Sequence, residues 1–98
     1  MSDRQQKERN RDLINAITGG SVDDIQHAID RDAELSAIDR AGRTTLSIAA
    51  VQGPPGSVDL LIACGADVNA RSRGGGQPIH AAAMKGNLDA CRSLLAAG

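Results

Sequence analysis

The sequence predicts an all-α solenoid of stacked helix-turn-helix units joined by β-hairpin loops, and three observations carry that prediction. A spacing of 33 residues recurs along the chain. Each period holds two short stretches whose apolar residues return at helical spacing. Between the periods lie polar segments rich in Gly, Asp and Asn, which read as extended chain and turns.

The period is clearest at apolar positions, where a packed core constrains residue type most. Gly20, Gly53 and Gly86 fall in register, as do Leu13, Leu46 and Ile79, Ala16, Ala49 and Ala82, and Ile17, Ala50 and Ala83. Later in each unit Ile25, Val58 and Cys91 align, followed by Ala28, Leu61 and Leu94, and by Ile29, Ile62 and Leu95. Residues 1–9 read as a polar extension ahead of a repeat domain over 10–98, with units at about 10–38, 39–71 and 72–98.

The elements follow in order. The first unit keeps the apolar skeleton under an acidic exterior, and its Asp23-Asp24 pair reads as a helix-start signal rather than an acid/base dyad. In the second and third units, "TTLSIAAVQG" and "QPIHAAAMKG" are first helices that stop at Gly53 and Gly86, each expected in the left-handed conformation that ends a helix. The second helices, in "SVDLLIACG" and "NLDACRSLLAAG", are expected to start from Ser57 and Asn87 as N-caps. Pro54 and Pro55 delay the second helix of the middle unit, and the PPG stretch through Gly56 reads as a loop variant rather than a polyproline docking site.

Composition bounds the rest. The chain of 98 residues has no Phe, Trp or Tyr, so its core is built from Ala, Leu, Ile and Val, and backbones must approach closely. Net charge is -1, which gives no general argument for nucleic acid or an anionic membrane. Its distribution is lopsided: seven acidic residues and one Arg lie between Asp12 and Asp39, against six basic and three acidic from Arg40 onward. Cys64 and Cys91 sit in apolar runs outside any metal-ligand spacing and read as buried thiols. Neither a signal peptide nor a membrane-spanning run is evident, so a cytoplasmic location is expected.

These units resemble the ankyrin repeat, roughly GxTPLHxAAxxG followed by VxxLLxxGADVNA. Gly42, Thr44, Leu46, Ala49, Ala50, Gly53, Val58, Leu61, Gly65 and the run Ala66 to Ala70 match in the middle unit; Gly75, Pro78, Ile79, His80, Ala82, Ala83, Gly86, Leu94, Leu95 and Gly98 match in the last. The first unit resembles an N-terminal cap, with Asp32 where Gly65 and Gly98 stand. The third unit halts before its hairpin, which reads as a fragment of a longer protein.

Candidates for chemistry are few. Gly74, Gly75 and Gly76 fit neither a P-loop nor a dinucleotide loop; Gly75 aligns with Gly42 as a hairpin glycine, leaving Gly74 and Gly76 as a flexible tip that presents little side chain. His80 has Ser47 as its register mate, so no histidine site repeats, and the resemblance implies a structural histidine that links neighbouring repeats by hydrogen bonds. Neither cysteine looks activated for nucleophilic work with His80, and no cofactor or metal is expected.

What remains is surface. The resemblance implies a non-catalytic protein-interaction module that binds through its hairpin tips and the exposed face of its first helices. That strip comprises Arg40, Arg43, Val51, Gln52, Arg71, Arg73, Met84 and Lys85, with Ala41, Gly74 and Gly76 between them. A basic strip with a small apolar patch suits an acidic segment of a partner protein. The alternative is a regulatory or targeting segment of a larger, enzymatic protein.

Overall fold

The first helix, α1 (Asp3–Gly19), opens on Gln, Lys, Glu and Arg, all good helix formers, with neither Gly nor Pro to interrupt them. The stretch expected as a polar extension therefore belongs from Asp3 to this helix; the computed structural model describes residues 3–98. An Arg4–Glu8 ion pair of 4.0 Å lies on its solvent side and adds little. Leu13, Ala16 and Ile17 face inward, and the helix ends where Gly19-Gly20 makes continuation costly.

Helix α2 (Val22–Asp30) starts from a capping box, as the Asp23-Asp24 signal predicts. Asp24 N–H donates to Ser21 Oγ and Ser21 N–H donates to Asp24 Oδ2, both at 3.2 Å. It is followed by Asp32 at φ 67°, the register position where Gly65 has φ 105°. Asp takes over the left-handed role that glycine usually fills.

Helix α3 (Thr45–Gln52) is capped by Thr44, whose Oγ1 accepts from Ser47 N–H. It buries Thr45 through Ala50 without a break, because it is the central helix of the stack and has neighbours on both sides. The remaining helices are α4 (Ser57–Ala63), α5 (Pro78–Lys85) and α6 (Leu88–Ala97).

Packing follows the period. Helices α1, α3 and α5 stack as one row and α2, α4 and α6 as a second, with each unit joined across the rows. Leu13, Ile17, Ile25, Leu46, Ile48 and Leu61 are fully buried between them, each contributing about 1.5–3 kcal/mol of transfer free energy. Small side chains at Ala16, Ala49, Ala50 and Ala82 let the inner row close up, as the lack of aromatic residues requires. Among the described residues there is no strand, only an isolated antiparallel bridge between Ile38 and Thr44.

Of the junctions at Gly86 and Gly53, the first is as the sequence predicts and the second is not. Gly86 ends α5 in the left-handed region, φ 77°, as expected. Gly53 does not: it is extended, φ −72° and ψ 156°, because a following proline disfavours the helical region. Gly53 is demanded by space, since a Cβ there would meet Ala49 O at 2.7 Å and Ala49 Cα at 2.8 Å.

Residues Pro54 to Ser57 form a turn closed by Ser57 N–H donating to Pro54 O at 3.0 Å, with Pro55 second and Gly56 third at φ 86°, ψ −6°. That is a type II turn, and it makes Gly56 the cap and Ser57 the first residue of α4. Asn87 caps α6 as expected, its Oδ1 accepting from Ala90 N–H at 3.1 Å. Both cysteines are free thiols and half-buried rather than buried, and Cys91 packs against the core.

Candidate partner-binding surface

Two hairpin tips dominate the candidate surface, and they are built alike. In the first, Gly42 N–H donates to Asp39 O at 2.9 Å and Asp39 N–H donates to Arg43 O at 3.1 Å. In the second, Gly75 N–H donates to Ser72 O and Ser72 N–H donates to Gly76 O, both at 2.8 Å. Each is a three-residue loop whose last residue is a left-handed glycine, Gly42 at φ 81° and Gly75 at φ 92°. Arg40 and Arg73 follow the opening residue in each loop and are both exposed, the Arg73 side chain lying against Gly42 of the first tip.

The tips are joined to each other. Arg73 N–H donates to Gly42 O at 2.8 Å, and a Cβ at Gly42 would collide with Arg73 Cβ. Behind them Thr44 Oγ1 donates to Ser47 Oγ at 3.0 Å, while Ser72 Oγ reaches Ser47 Oγ at 3.5 Å. At the other end of the helix row, Asn87 Nδ2 donates to Ala50 O at 2.9 Å. These contacts fix the second unit against the third.

His80 does not take part in that tie, contrary to the expectation. Its Nδ1 accepts from Gln77 N–H at 3.2 Å, so it closes the start of its own helix, and its side chain is exposed. Ser47, its register mate, supplies the contact between units instead. A shorter side chain suffices there because Ser72 reaches in from the next hairpin.

The eight sequence-predicted residues fall into two groups. Arg40, Arg43, Arg71 and Arg73 gather at the tips, at the N-terminal ends of α3 and α5. Val51, Gln52, Met84 and Lys85 lie at the C-terminal ends of those helices, about 10 Å away for eight-residue helices. Met84 is 91% exposed, whereas Val51 is half-buried.

Nor are the four arginines equivalent. Arg43 is folded back: its backbone N–H donates to Asp39 Oδ1 and its Nε to Asp39 Oδ2, both at 2.8 Å. Burial pushes the Asp39 carboxyl up, but the hydrogen bonds and charge of Arg43, with the Ala41 N–H, outweigh it and hold the group below its ordinary value. Arg71 Nη1 donates to Gly75 O at 3.0 Å and so staples its own loop. Arg40 and Arg73 make no ion pair among the described residues.

Residues outside the predicted strip share its surface. A groove of about 790 Å³ runs between α1 and the first tip, lined by Lys7, Arg11 and Ile14 from the helix and by Ile38, Arg40 and Arg43 from the hairpin. The first turns of α1 hold the place that the hairpins take in later units, tied down by Gln6 Nε2 donating to Asp32 O at 3.1 Å and Glu34 N–H donating to Asn10 Oδ1 at 2.9 Å. The period itself carried the missed signal, for Lys7, Arg40 and Arg73 stand 33 residues apart. Lys7 falls in the stretch expected as a polar extension, which the structure makes part of α1.

Among the described residues no group of three His, Cys, Asp or Glu side chains could hold a metal ion, and no helix is long and apolar enough to cross a membrane.

Comparison with known proteins places these features. A family model described as ankyrin repeats, in three copies, matches residues 13–98. Protein phosphatase 1 regulatory subunit 12A of Mus musculus is 35% identical over 85 residues, which is 87% of this chain and 7% of that protein. The inactive serine/threonine-protein kinase TEX14 of Bos taurus is 37% identical over 82 residues, 84% of this chain and 6% of that protein. The B-cell lymphoma 3 protein homolog of Mus musculus is 31% identical over 84 residues, 85% of this chain and 19% of its length. The chain thus spans less than a fifth of each of these relatives.

Proposed function

Because the chain belongs to the ankyrin-repeat family, whose members generally bind other proteins, we propose that it is a non-catalytic interaction module that takes an acidic segment of a partner on the surface formed by its hairpin tips and inner helices. The observation that carries this reading is the bonding of the two tips. Arg73 N–H to Gly42 O holds the loops in fixed relation, so Arg40 and Arg73 are presented at equivalent positions on a rigid support. Arg43 and Arg71 shape the tips, and Arg40 and Arg73 meet the partner. Val51, Gln52, Met84 and Lys85 form a second contact at the far ends of α3 and α5, where an apolar side chain of the partner would rest on Met84.

A second reading rests on the coverage of the relatives. The match to short parts of a phosphatase regulatory subunit and an inactive kinase supports this chain serving as the regulatory or targeting portion of a larger protein. Both readings place recognition on the same surface.

The test is photo-crosslinking in cells. A photoreactive amino acid at Arg73 or Met84 is expected to capture another protein, while the same group at Asp23 on the outer row is expected to capture none. Equal capture from both faces would refute the assignment of the surface. Reversing Arg40 and Arg73 to Glu should weaken the captured complex about tenfold or more and flatten its salt dependence, whereas Arg71→Gln should leave the affinity within about twofold.

A further inference from the structure

The binding surface does not begin at the first hairpin; we infer that it begins on α1, where Lys7, Arg11 and Arg40 rim a groove floored by Ile14 and Ile38 that takes an acidic, extended segment of a partner protein with an aliphatic anchor. The inference rests on the reading of the inner surface given above and extends it to a unit whose sequence is acidic.

Two of the four cations on α1 are set apart from Glu8 and Asp12, whereas Arg4 pairs with Glu8 and Arg9 shares a cleft with both carboxylates. Lys7, Arg11 and Ile14, spaced by four and three, lie on the face of α1 toward the groove. Glu8 and Asp12, each one residue further on, line clefts on other sides of the helix. The net charge of the segment therefore misrepresents this face. Of the groove's five charged side chains four are cations, and its single carboxylate, Asp39, is already occupied by Arg43. Lys7, Arg11 and Arg40 are exposed and make no ion pair among the described residues.

The floor is apolar. Ile38 is 49% exposed, one of three exposed Leu and Ile side chains among the described residues, with Leu88 and Leu95, and the only one of them on the groove, where Ala37 and Ile14 adjoin it. Cations around an exposed aliphatic patch are complementary to carboxylates around an aliphatic side chain. With no aromatic residue in the chain, the surface lacks the stacking platforms that single-stranded nucleic acid uses.

The register adds a spacing. Lys7 on α1 and Arg40 and Arg73 on the hairpin tips recur at the repeat period, and units whose helices stack about 8–10 Å apart repeat at that spacing. An extended chain rises about 3.3 Å per residue, so carboxylates at every third position match successive cations.

A fluorescein-labelled peptide with Glu at every third position and one Leu tests this on the 98-residue chain. It is expected to bind, by anisotropy at low salt, at least about fivefold more tightly than an isomer with its Glu residues contiguous. Lys7→Glu with Arg11→Glu should weaken it about tenfold or more, and Arg92→Glu on α6 of the outer row should change it less than about twofold, with circular dichroism showing each variant folded. Methyl resonances of Ile14 and Ile38 should shift on binding.

Several results would overturn the inference: no binding of the spaced peptide, equal binding of the contiguous isomer, insensitivity to the Lys7 and Arg11 reversals, or tighter binding of phosphatidylserine vesicles or polyuridine than of the peptide. Shifts confined to Val51 and Met84 would remove the groove while leaving the wider surface standing, and the crosslinking experiment judges that surface separately.

Discussion

The middle and last units place glycine at the same register positions for different physical reasons. Gly42 and Gly75 both close a hairpin tip with positive φ, yet a Cβ would strike Arg73 at Gly42 and meet open space at Gly75. Gly53 and Gly86 both end an inner helix, yet Gly53 is extended and hemmed in by the Ala49 backbone, while Gly86 is left-handed and unobstructed. Identical letters in a repeat alignment therefore record either a backbone requirement or a steric one. Only neighbours in space tell which.

The widest separation between the two units is expected at the tips. Gly42→Ala should destabilise by roughly 2–4 kcal/mol, combining left-handed strain with overpacking, whereas Gly75→Ala should cost about 1 kcal/mol after the entropic gain of the unfolded chain. Urea denaturation followed by circular dichroism measures both. Adding Arg73→Gly to Gly42→Ala should recover the steric part, and a strictly additive double mutant would show that no such contact exists.

At the junctions the expected gap is smaller. Gly53→Ala should cost about 1–3 kcal/mol because the Ala49 backbone as well as Ser57 Oγ obstructs a Cβ, and Gly86→Ala about 1 kcal/mol because only φ resists. Equal losses in thermal melts would collapse the distinction. Next in size, Asn87→Ala removes both a helix cap and the tie to Ala50 O, for about 1–2 kcal/mol, while Asn87→Ser should retain the cap and lose only the tie.

The smallest effect is expected at Asp39, which distinguishes the first tip from the second, where Ser72 stands in its place. Its carboxyl is held below its ordinary value in the folded chain, so its contribution is present above the unfolded value of about 3.9 and is lost as pH falls through the folded value. Asp39→Asn should cost less than about 1 kcal/mol at neutral pH, given that Arg43 is 38% exposed, and the difference from the parent should shrink below about pH 4. A difference that stays constant with pH would mean the ion pair contributes nothing.

Much of this architecture was legible beforehand. The helices, their inward faces, the hairpin glycines and the late start of α4 were readable because buried apolar positions and proline geometry act locally and recur with the period. The errors have equally local causes. The glycine register predicts a left-handed Gly53, but Pro54 holds it extended; serine chemistry predicts a cap at Ser57, but the Pro55-Gly56 pair builds a type II turn. His80 was assigned a tie that Ser47 makes, because the length of the neighbouring side chain, Ser72, decides who can reach.

By itself, then, the sequence determined the solenoid, the number of units and the placement of arginines on hairpin tips. A periodic apolar pattern admits one way of stacking, and a glycine with positive φ admits few turns. Only the tertiary structure decided which arginines are occupied at home, that Lys7 and Arg11 face a different side of α1 from Glu8 and Asp12, and that Lys7 joins Arg40 beside a groove. Those outcomes depend on which side chains meet across units, and such distances are set by the stack rather than by any one segment of the chain.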